Sequence, residues 1–124
     1  MTRGDFEQWL ERYGEAWKSG SPDAAVQLFS ADARYHETPF EEPMIGRNAI
    51  HAYWTMGAQD GQTAVSFSAT IVAFEGPEGF AHWQAEFTQV PSGRRVRLDG
   101  VLSARFDDDD KCITFREWWH RHEM

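Results

Sequence analysis

The amino-acid sequence predicts an α+β domain in which three N-terminal helices pack on one strongly curved antiparallel sheet. Apolar residues recur at intervals of three and four as far as Trp54, which is typical of amphipathic helices. From Ala64 onward apolar and polar residues alternate, which is typical of strands with one buried face. With 124 residues, the chain has the length of one domain, residues 1–124, built around a single core.

The first two helices are predicted from their buried faces and their ends. The first would bury Phe6, Trp9, Leu10, Tyr13 and Trp17. Asp5 would cap its N-terminus, and Ser19-Gly20 would end it, because glycine readily takes a positive φ. Ser21-Pro22-Asp23 would start the second helix, with serine as the cap and proline in the first turn. This helix would bury Ala24, Ala25, Leu28 and Phe29.

A short strand and a third helix are expected to follow. The strand would run from Ala33 to Glu37. The segment Thr38–Pro43 is predicted to be irregular because it contains two prolines. Gly46-Arg47-Asn48 would open the third helix, which is expected to end near Gly57 or Gly61. Its inner face would consist of Ile50, Tyr53 and Trp54.

Four long strands linked by tight turns are predicted for the rest of the chain. Their approximate bounds are Ala64–Phe74, Phe80–Val90, Arg94–Phe106 and Lys111–His120. Turn-forming residues separate them at Glu75–Gly79, Pro91–Gly93 and Asp107–Asp110. Because hairpin connections join antiparallel strands, an antiparallel sheet is expected. Strands of this length usually bend, and Gly100 is the expected place for a bulge.

Composition limits the classes of function. The net charge of −8 argues against a nucleic-acid partner, which would require clustered lysine and arginine. The single cysteine excludes an intramolecular disulfide, and no segment is long and apolar enough to cross a membrane. No secretory signal is apparent, so a cytoplasmic protein is expected. Aromatic residues make up 15% of the chain, enough to fill a thick core or to line a cavity for an apolar ligand.

The order of elements resembles the nuclear transport factor 2-like superfamily, and within it the SnoaL-like and ketosteroid-isomerase-like branches. The resemblance runs without a gap from Arg12 to Trp54 and resumes from Phe106 to Trp119. It implies a cone-shaped, cystatin-like α+β roll enclosing a pocket, and a homodimer. Because this superfamily includes enzymes, transport factors and binding modules, the fold alone does not select a function. The residues that carry the resemblance are Arg12-Tyr13, Leu28–Ala33, Pro43, Gly46, Ile50 and Tyr53-Trp54.

The resemblance also implies roles for individual residues. Tyr13 falls on the isomerases' oxyanion-binding tyrosine and Glu37 on their general base. Trp54 replaces a supporting tyrosine, which keeps an aromatic wall but loses the hydroxyl. Leu102 falls on the protonated aspartic acid that completes the oxyanion site. With leucine there, a second acid donor is missing and stabilisation of an enolate would be weak.

The residues themselves leave several alternatives open. Glu37 would serve as a base or would cap the loop before Pro39. The Tyr13 hydroxyl would bind a pocket ligand or a backbone group. Glu117 and Trp119 share strand parity with inward residues. Glu117 would therefore pair with Glu37 as acid and base, or with an arginine such as Arg116.

Whether Asp99 and Trp83 face the pocket depends on the orientation of the middle strands. Straight alternation places Asp99 outside, whereas a bulge at Gly100 would turn it into the pocket. Trp83 would line the cavity if Ala85 and Phe87 point inward; in the opposite orientation His82 and Glu86 would do so. Tyr35 is also assigned to the ligand-binding residues. The histidine spacings do not match a metal site, so no metal or other cofactor is expected.

The predicted function is that of a cofactor-independent acid–base catalyst, of isomerase, cyclase or lyase type. It would bind a small, largely apolar, ring-containing molecule, with Glu37 as base and Tyr13 or Asp99 as polarising donor. The alternative is a non-catalytic ligand-binding or dimerisation domain of the same fold. A cleft the size of a drug molecule with Glu37 at its floor favours catalysis, and a closed void the size of a water molecule favours the alternative.

Overall fold

The computed structural model describes all 124 residues and confirms an α+β fold with three helices. The helices are α1 (Arg3–Ser19), α2 (Pro22–Val26) and α3 (Arg47–Trp54), and α3 continues into a π-helical turn at Thr55–Gln59. The strands are β1 (Phe29–His36), β2 (Met44–Ile45), β3 (Gln62–Glu75), β4 (Glu78–Gln89), β5 (Arg95–Phe106) and β6 (Cys112–Glu123). No helix is both long and apolar enough to span a membrane.

The six strands form one mixed sheet in the order β2-β1-β6-β5-β4-β3, so the prediction of a wholly antiparallel sheet was wrong. β1 runs parallel to β6, with Tyr35 opposite Phe115. Hairpins connect β3 to β6 and impose antiparallel pairing there, but no hairpin joins β1 to β6. The added strand β2 is only two residues long, too short for a hydrophobic pattern to reveal.

The first helix begins earlier than predicted. Thr2 is its N-cap: the Thr2 hydroxyl accepts a hydrogen bond from the Asp5 N–H, and the Asp5 carboxylate accepts one from the Thr2 N–H. Asp5 therefore completes a capping box from inside the helix, and its prediction as the cap was wrong. Gly20, at φ 61°, ends the helix as expected.

Leu28 and Phe29 were wrongly predicted to belong to the second helix. That helix ends at Val26, and Phe29 begins β1, four residues earlier than expected. The guanidinium of Arg47 donates two hydrogen bonds, of 2.9 and 2.8 Å, to the Phe29 carbonyl. The N–H of Cys112 donates to the Leu28 carbonyl at 2.9 Å. These contacts with distant residues place the segment in the sheet, and local periodicity could not reveal them.

The helices cover one face of the sheet, and the core between the two layers is largely aromatic. Trp9 lies at its centre, with ring centroids 5.3 Å from Phe106, 5.9 Å from Phe29 and 6.1 Å from Phe115. The layers approach closely at Gly79, where a Cβ atom would lie 2.5 Å from the Phe6 ring. The predicted inner face of α1 is confirmed. Its side chains point from the helical layer toward the sheet.

Candidate active site

A cavity of about 170 Å³ lies between the helices and the inner face of the sheet. All predicted site residues except Asp99 and Leu102 line it: Tyr13, Tyr35, Glu37, Trp54, Trp83, Glu117 and Trp119. They come from α1, β1 and the loop after it, α3, β4 and β6. Distant parts of the chain thus bring two carboxyl groups, phenols and indoles to one place.

Glu117 on β6 is the buried carboxyl group of the cavity, only 6% exposed. Burial raises its pKa to about 8, and the charge of Glu37 acts in the same direction, while a hydrogen bond with Tyr35 opposes them. None of the salt bridges includes Glu117, so the predicted pairing with Arg116 was wrong. Arg116 is exposed instead, because neighbouring residues of a strand point to opposite faces. With a pKa near 8, Glu117 holds a proton at neutral pH.

Glu37 directly follows β1 and is partly exposed at the cavity. Tyr53 also lines the cavity. Burial raises the pKa of Tyr53, and the charges of Glu117 and Glu37 raise it further, so this phenol stays protonated. The two carboxyl groups therefore differ in environment: Glu117 is enclosed by the core, and Glu37 is open to solvent on one side.

Tyr13 and Tyr35 link α1 to β1 in the floor of the cavity. Their hydroxyl oxygens are 3.4 Å apart, longer than a typical O–H···O hydrogen bond, and the side chains are 2% and 1% exposed. Burial raises the pKa of both phenols well above its ordinary value, and the charge of Glu117 adds to the effect. Both tyrosines are consequently neutral hydrogen-bonding groups next to the Glu117 carboxyl.

Trp54 and Trp83 form aromatic walls of the cavity. Trp83 faces inward, so the structure selects the first of the two orientations that the sequence left open for this strand. The indole N–H of each is buried and has no hydrogen-bond acceptor. An unsatisfied buried donor costs about 1–3 kcal/mol, so these two N–H groups, which are enclosed by the surrounding side chains, reduce the stability of the fold.

Asp99 and Leu102 do not reach the cavity. The pairing of β5 with both neighbours continues regularly through Gly100, so the predicted bulge is absent. Asp99 therefore lies on the outer face, where it accepts one hydrogen bond of 2.8 Å from the Gln84 side chain and shares a contact of 2.8 Å with His82. Leu102 is fully buried in the core, opposite Glu117 in the sheet.

Gly100 allows two strands to approach closely instead of forming a bulge. A Cβ atom at this position would collide with the backbone oxygen of Trp118 and would lie 2.9 Å from the Trp119 Cβ. No side chain fits there, and the strict alternation that continues along β5 leaves Asp99 outside. Gly100 therefore permits β5 and β6 to pack closely, whereas the sequence pattern predicted that it would form a bulge.

Several lining residues were missed by the sequence analysis: Trp17, Tyr53, Gly57, Ala58, Gln62, Leu98 and Arg121. Leu98 shares strand parity with Leu102, so alternation alone could have identified it, as it identified Phe87 beside Trp83. Gln62 and Arg121 lie just beyond the predicted ends of their strands, which were too short. No cluster of three or more histidine, cysteine, aspartate or glutamate residues is arranged to hold a metal ion.

The fold and the cavity define a small α+β protein whose interior site combines carboxyl, phenol and indole groups. The chain belongs to the SnoaL-like domain family, whose model matches residues 10–114. This confirms the resemblance on which the sequence-based expectations rested.

Two solved structures extend the similarity to nearly the whole chain. SalBIII, described as an epoxide hydrolase/cyclase-like enzyme with a role in pyran ring formation in the polyether salinomycin, is 19% identical. It has a TM-score of 0.82, and the match covers 95% of each chain. The Δ5-3-ketosteroid isomerase from Mycobacterium sp. is 17% identical with a TM-score of 0.81, covering 97% of this chain and 98% of its own. At these identities the similarity shows the fold alone.

Proposed function

We propose that the protein is a cofactor-independent acid–base catalyst of isomerase or cyclase type. The observation that carries this proposal is the pair of carboxyl groups, Glu37 and Glu117, that line one cavity in different environments. A catalyst that moves protons needs one group that accepts a proton and one that donates it near the same substrate. Carboxyl groups with contrasting surroundings fulfil these two roles in known enzymes.

In this proposal, Glu37 is the general base and protonated Glu117 is the acid. In an isomerisation, Glu37 removes a proton from a carbon next to a carbonyl group, and Glu117 hydrogen-bonds to the developing enolate oxygen. Glu37 then returns the proton to another carbon. Glu117 thereby takes the role that the sequence analysis left unfilled at Leu102.

The same two groups suit ring closure of a hydroxy-epoxide. Glu37 accepts the hydroxyl proton as the hydroxyl oxygen forms a bond to an epoxide carbon. The epoxide C–O bond breaks, and Glu117 donates its proton to the released oxygen. Proton exchange with solvent restores both groups. One structural neighbour is named as an isomerase and the other as an epoxide hydrolase/cyclase-like enzyme, which supports proposing these two reaction classes.

The volume of the cavity sets the size of the substrate. An engineered apolar cavity of about 150 Å³ is known to hold benzene, so about 170 Å³ holds one six-membered ring. We therefore propose that the part of the substrate enclosed in the cavity is a single ring, in contact with Trp54, Trp83 and Trp119. The remainder of a larger molecule would lie in the neighbouring depression of about 630 Å³, which shares Glu37, Glu117 and Trp119 with the cavity.

The alternative is a ligand-binding or dimerisation domain without catalysis, and the modest volume of the cavity favours it.

We also propose a homodimer formed by the outer face of the sheet. Trp118 and Val101 lie opposite each other on that face and are 48% and 41% exposed. Apolar side chains grouped on an exposed face are a common mark of a protein–protein contact.

A one-ring substrate tests the proposal directly. We would measure conversion of 3-cyclohexenone to its conjugated isomer by ultraviolet absorbance, and ring closure of a 4,5-epoxy alcohol by chromatography. Wild-type protein is expected to accelerate at least one reaction, and Glu37→Gln is expected to abolish the acceleration. Glu41→Gln, which removes an equal charge from an exposed loop position, is the control. No acceleration of either reaction, or equal rates in wild type and Glu37→Gln, would leave the binding domain as the better proposal.

A further inference from the structure

A groove of about 610 Å³ lies between α1 and the edge strand β3, and it shares no lining residue with the cavity. β3 forms one edge of the sheet and pairs only with β4. The groove is lined by residues of both faces of β3, the inward Phe67 and Ile71 and the outward Ser68 and Thr70 among them. It therefore follows the free edge of the strand, where backbone N–H and C=O groups are unpaired.

The edge of β3 lacks the features that usually keep a strand from pairing with another chain. From Gln62 to Phe74 it contains no charged residue and no proline. Its register with β4 runs without interruption from Ser66 to Ile71. Natural edge strands are commonly protected by charges, proline or bulges, or are very short, as the two-residue β2 at the opposite edge is. The stretch Ser66–Ile71 is thus open for pairing.

The apolar face of β3 is incompletely covered. Its inward apolar residues pack against the core but are only partly buried: Val65, Phe67, Ala69, Ile71 and Phe74. The inward residues of the adjacent strand β4, which has a neighbour on each side, are buried: Ala81, Trp83, Ala85 and Phe87. A strand added beyond β3 would cover its side chains in the same way, which favours the addition by about 25 cal/mol for each Å² of apolar surface buried.

The helical side of the groove is acidic. Glu7, Glu11 and Glu15 recur every fourth residue, so they form one stripe along α1, and all three line the groove. The cations Arg3 and Lys18 lie only at the two ends of this stripe. Lys18 pairs with Glu15 at 2.9 Å, whereas Glu7 and Glu11 form no salt bridge. The middle of the groove therefore has the charge that complements a basic partner.

We propose that the groove binds an extended, basic peptide segment of a partner protein, which adds to the free edge of β3 as a further strand. Its backbone would hydrogen-bond with Ser66–Ile71, as in other complexes formed by strand addition. Every second side chain would point toward α1. Lysine or arginine suits these positions, because the aliphatic stem covers Phe67 and Ile71 while the charged end reaches Glu7 and Glu11. The site is separate from the proposed catalytic cavity and does not depend on catalysis.

Synthetic peptides that match Ser66–Ile71 in length test the inference. The first alternates lysine with threonine, and the second alternates glutamate with threonine. The third repeats the first but is methylated at alternate backbone nitrogens, so it keeps the charge and cannot pair as a strand. Fluorescence anisotropy of the labelled peptides measures their affinity for the protein. The first peptide is expected to bind about tenfold more tightly than either of the others.

Charge reversal in the groove identifies where the peptide binds. The double variant Glu7→Lys with Glu11→Lys is expected to weaken binding of the lysine–threonine peptide about tenfold and to strengthen binding of the glutamate–threonine peptide, because attraction becomes repulsion. Both positions are exposed, and lysine suits a helix as well as glutamate does, so the fold is retained. The matched control, Glu41→Lys with Glu42→Lys, makes the same change in charge on an exposed loop and should keep wild-type affinities.

Hydrogen exchange of β3 reports strand addition directly. Backbone N–H groups at the free edge of Ser66–Ile71 are open to solvent, so their exchange should slow when the lysine–threonine peptide binds. Unchanged exchange with the peptide bound would overturn the inference, because the peptide would then bind without pairing.

Three further results would also overturn the inference. Equal affinity of the methylated peptide would leave charge as the only attraction. Equal effects of the groove and loop variants would assign binding to the net charge of −8 instead of the groove. Failure of every peptide to bind, together with a disulfide-linked dimer of the Ser68→Cys variant, would assign the edge to a second copy of the chain.

Discussion

Glu37 and Glu117 line the same cavity, and the charge of Glu37 adds to the effect of burial in raising the pKa of Glu117 to about 8. Glu37 follows β1 and Glu117 lies on β6, which pairs with β1 in parallel. Two residues far apart in the sequence are thus electrostatically coupled. Substitution of either one is expected to change the titration of the site.

The stability of the protein should fall as the pH rises, because of Glu117. Its folded pKa of about 8 lies above the ordinary glutamate value of 4.5, so between these values the folded state holds a proton that the unfolded state lacks. The resulting stabilisation is complete below pH 4.5 and is lost as pH rises through 8; its size is of the order of 5 kcal/mol. Urea unfolding of wild type and Glu117→Gln between pH 5 and about 9 measures it. The amide variant should lack this pH dependence, and parallel curves for the two proteins would contradict the assignment.

Glu37→Gln should lower the pKa of Glu117 and impair catalysis. The substitution removes the neighbouring negative charge that disfavours ionisation of Glu117. It also removes the proposed base, which is expected to reduce kcat by about 10²–10⁴-fold. The pKa is measured by NMR titration of ¹³C-labelled glutamate, and kcat by the cyclohexenone assay. In Glu41→Gln both quantities should match wild type, and a Glu117 pKa that is identical with and without Glu37 would contradict the coupling.

Gly100→Ala should destabilise the fold. The added methyl group would collide with the Trp118 backbone oxygen and crowd the Trp119 Cβ, so β5 and β6 would have to separate. Overpacking of this kind typically costs about 1–3 kcal/mol, measurable by chemical denaturation. Gly57→Ala is the matched control, because a Cβ atom at Gly57 meets nothing within 4 Å. Equal stability of Gly100→Ala and Gly57→Ala would show that the strands tolerate the larger residue.

Asp99→Asn should leave turnover unchanged. Asp99 lies on the outer face, where hydrogen bonds with Gln84 and His82 hold its pKa below the ordinary value. It does not line the cavity, although it borders a neighbouring depression that Glu37 and Glu117 also line, so it should not contact a substrate enclosed in the cavity. The measurement is kcat and KM of the variant across the pH range of activity. A lower kcat with an unchanged fold would restore Asp99 as a candidate in the reaction.

Trp118→Glu should convert the proposed dimer into a monomer. A charged group in the centre of an apolar contact is unpaired and desolvated, which strongly disfavours association. Sedimentation velocity at micromolar concentration distinguishes the two states. Val72→Glu, which changes an exposed apolar residue on edge strand β3, serves as the comparison. A monomeric wild-type protein at this concentration would remove the basis of the dimer proposal.

Most of the fold could be predicted because its signals are local. Helical spacing identified the inner face of α1, and alternation identified β3 to β6. Parallel pairing of β1 with β6 could not be predicted, since nothing near β1 in the sequence records which strand it will meet. The capping role of Thr2 was missed because Asp5, the reciprocal partner in the same box, carries an equally good capping side chain.

The site could be predicted as far as its residues follow strand parity or the family resemblance. Glu117 faces inward by parity, and Tyr13 and Glu37 were placed by resemblance to the isomerases. Asp99 was misjudged because a glycine in a strand indicates either a bulge or a close approach, and only the neighbouring backbone of Trp118 distinguishes the two. The Trp54 and Trp83 N–H groups lack a hydrogen-bond acceptor. This could not be predicted, because it depends on where every surrounding acceptor lies in the folded chain.

The parallel pairing of β1 with β6 has a consequence for folding kinetics. It joins segments roughly 80 positions apart, so it closes a long loop and raises the contact order of the chain. The hairpins from β3 to β6 close much shorter loops and can form before it. Glu37 and Glu117 come to line the same cavity only when that long loop closes. In a refolding experiment, the proposed catalytic activity should therefore return with the slowest structural phase, in which β1 pairs with β6.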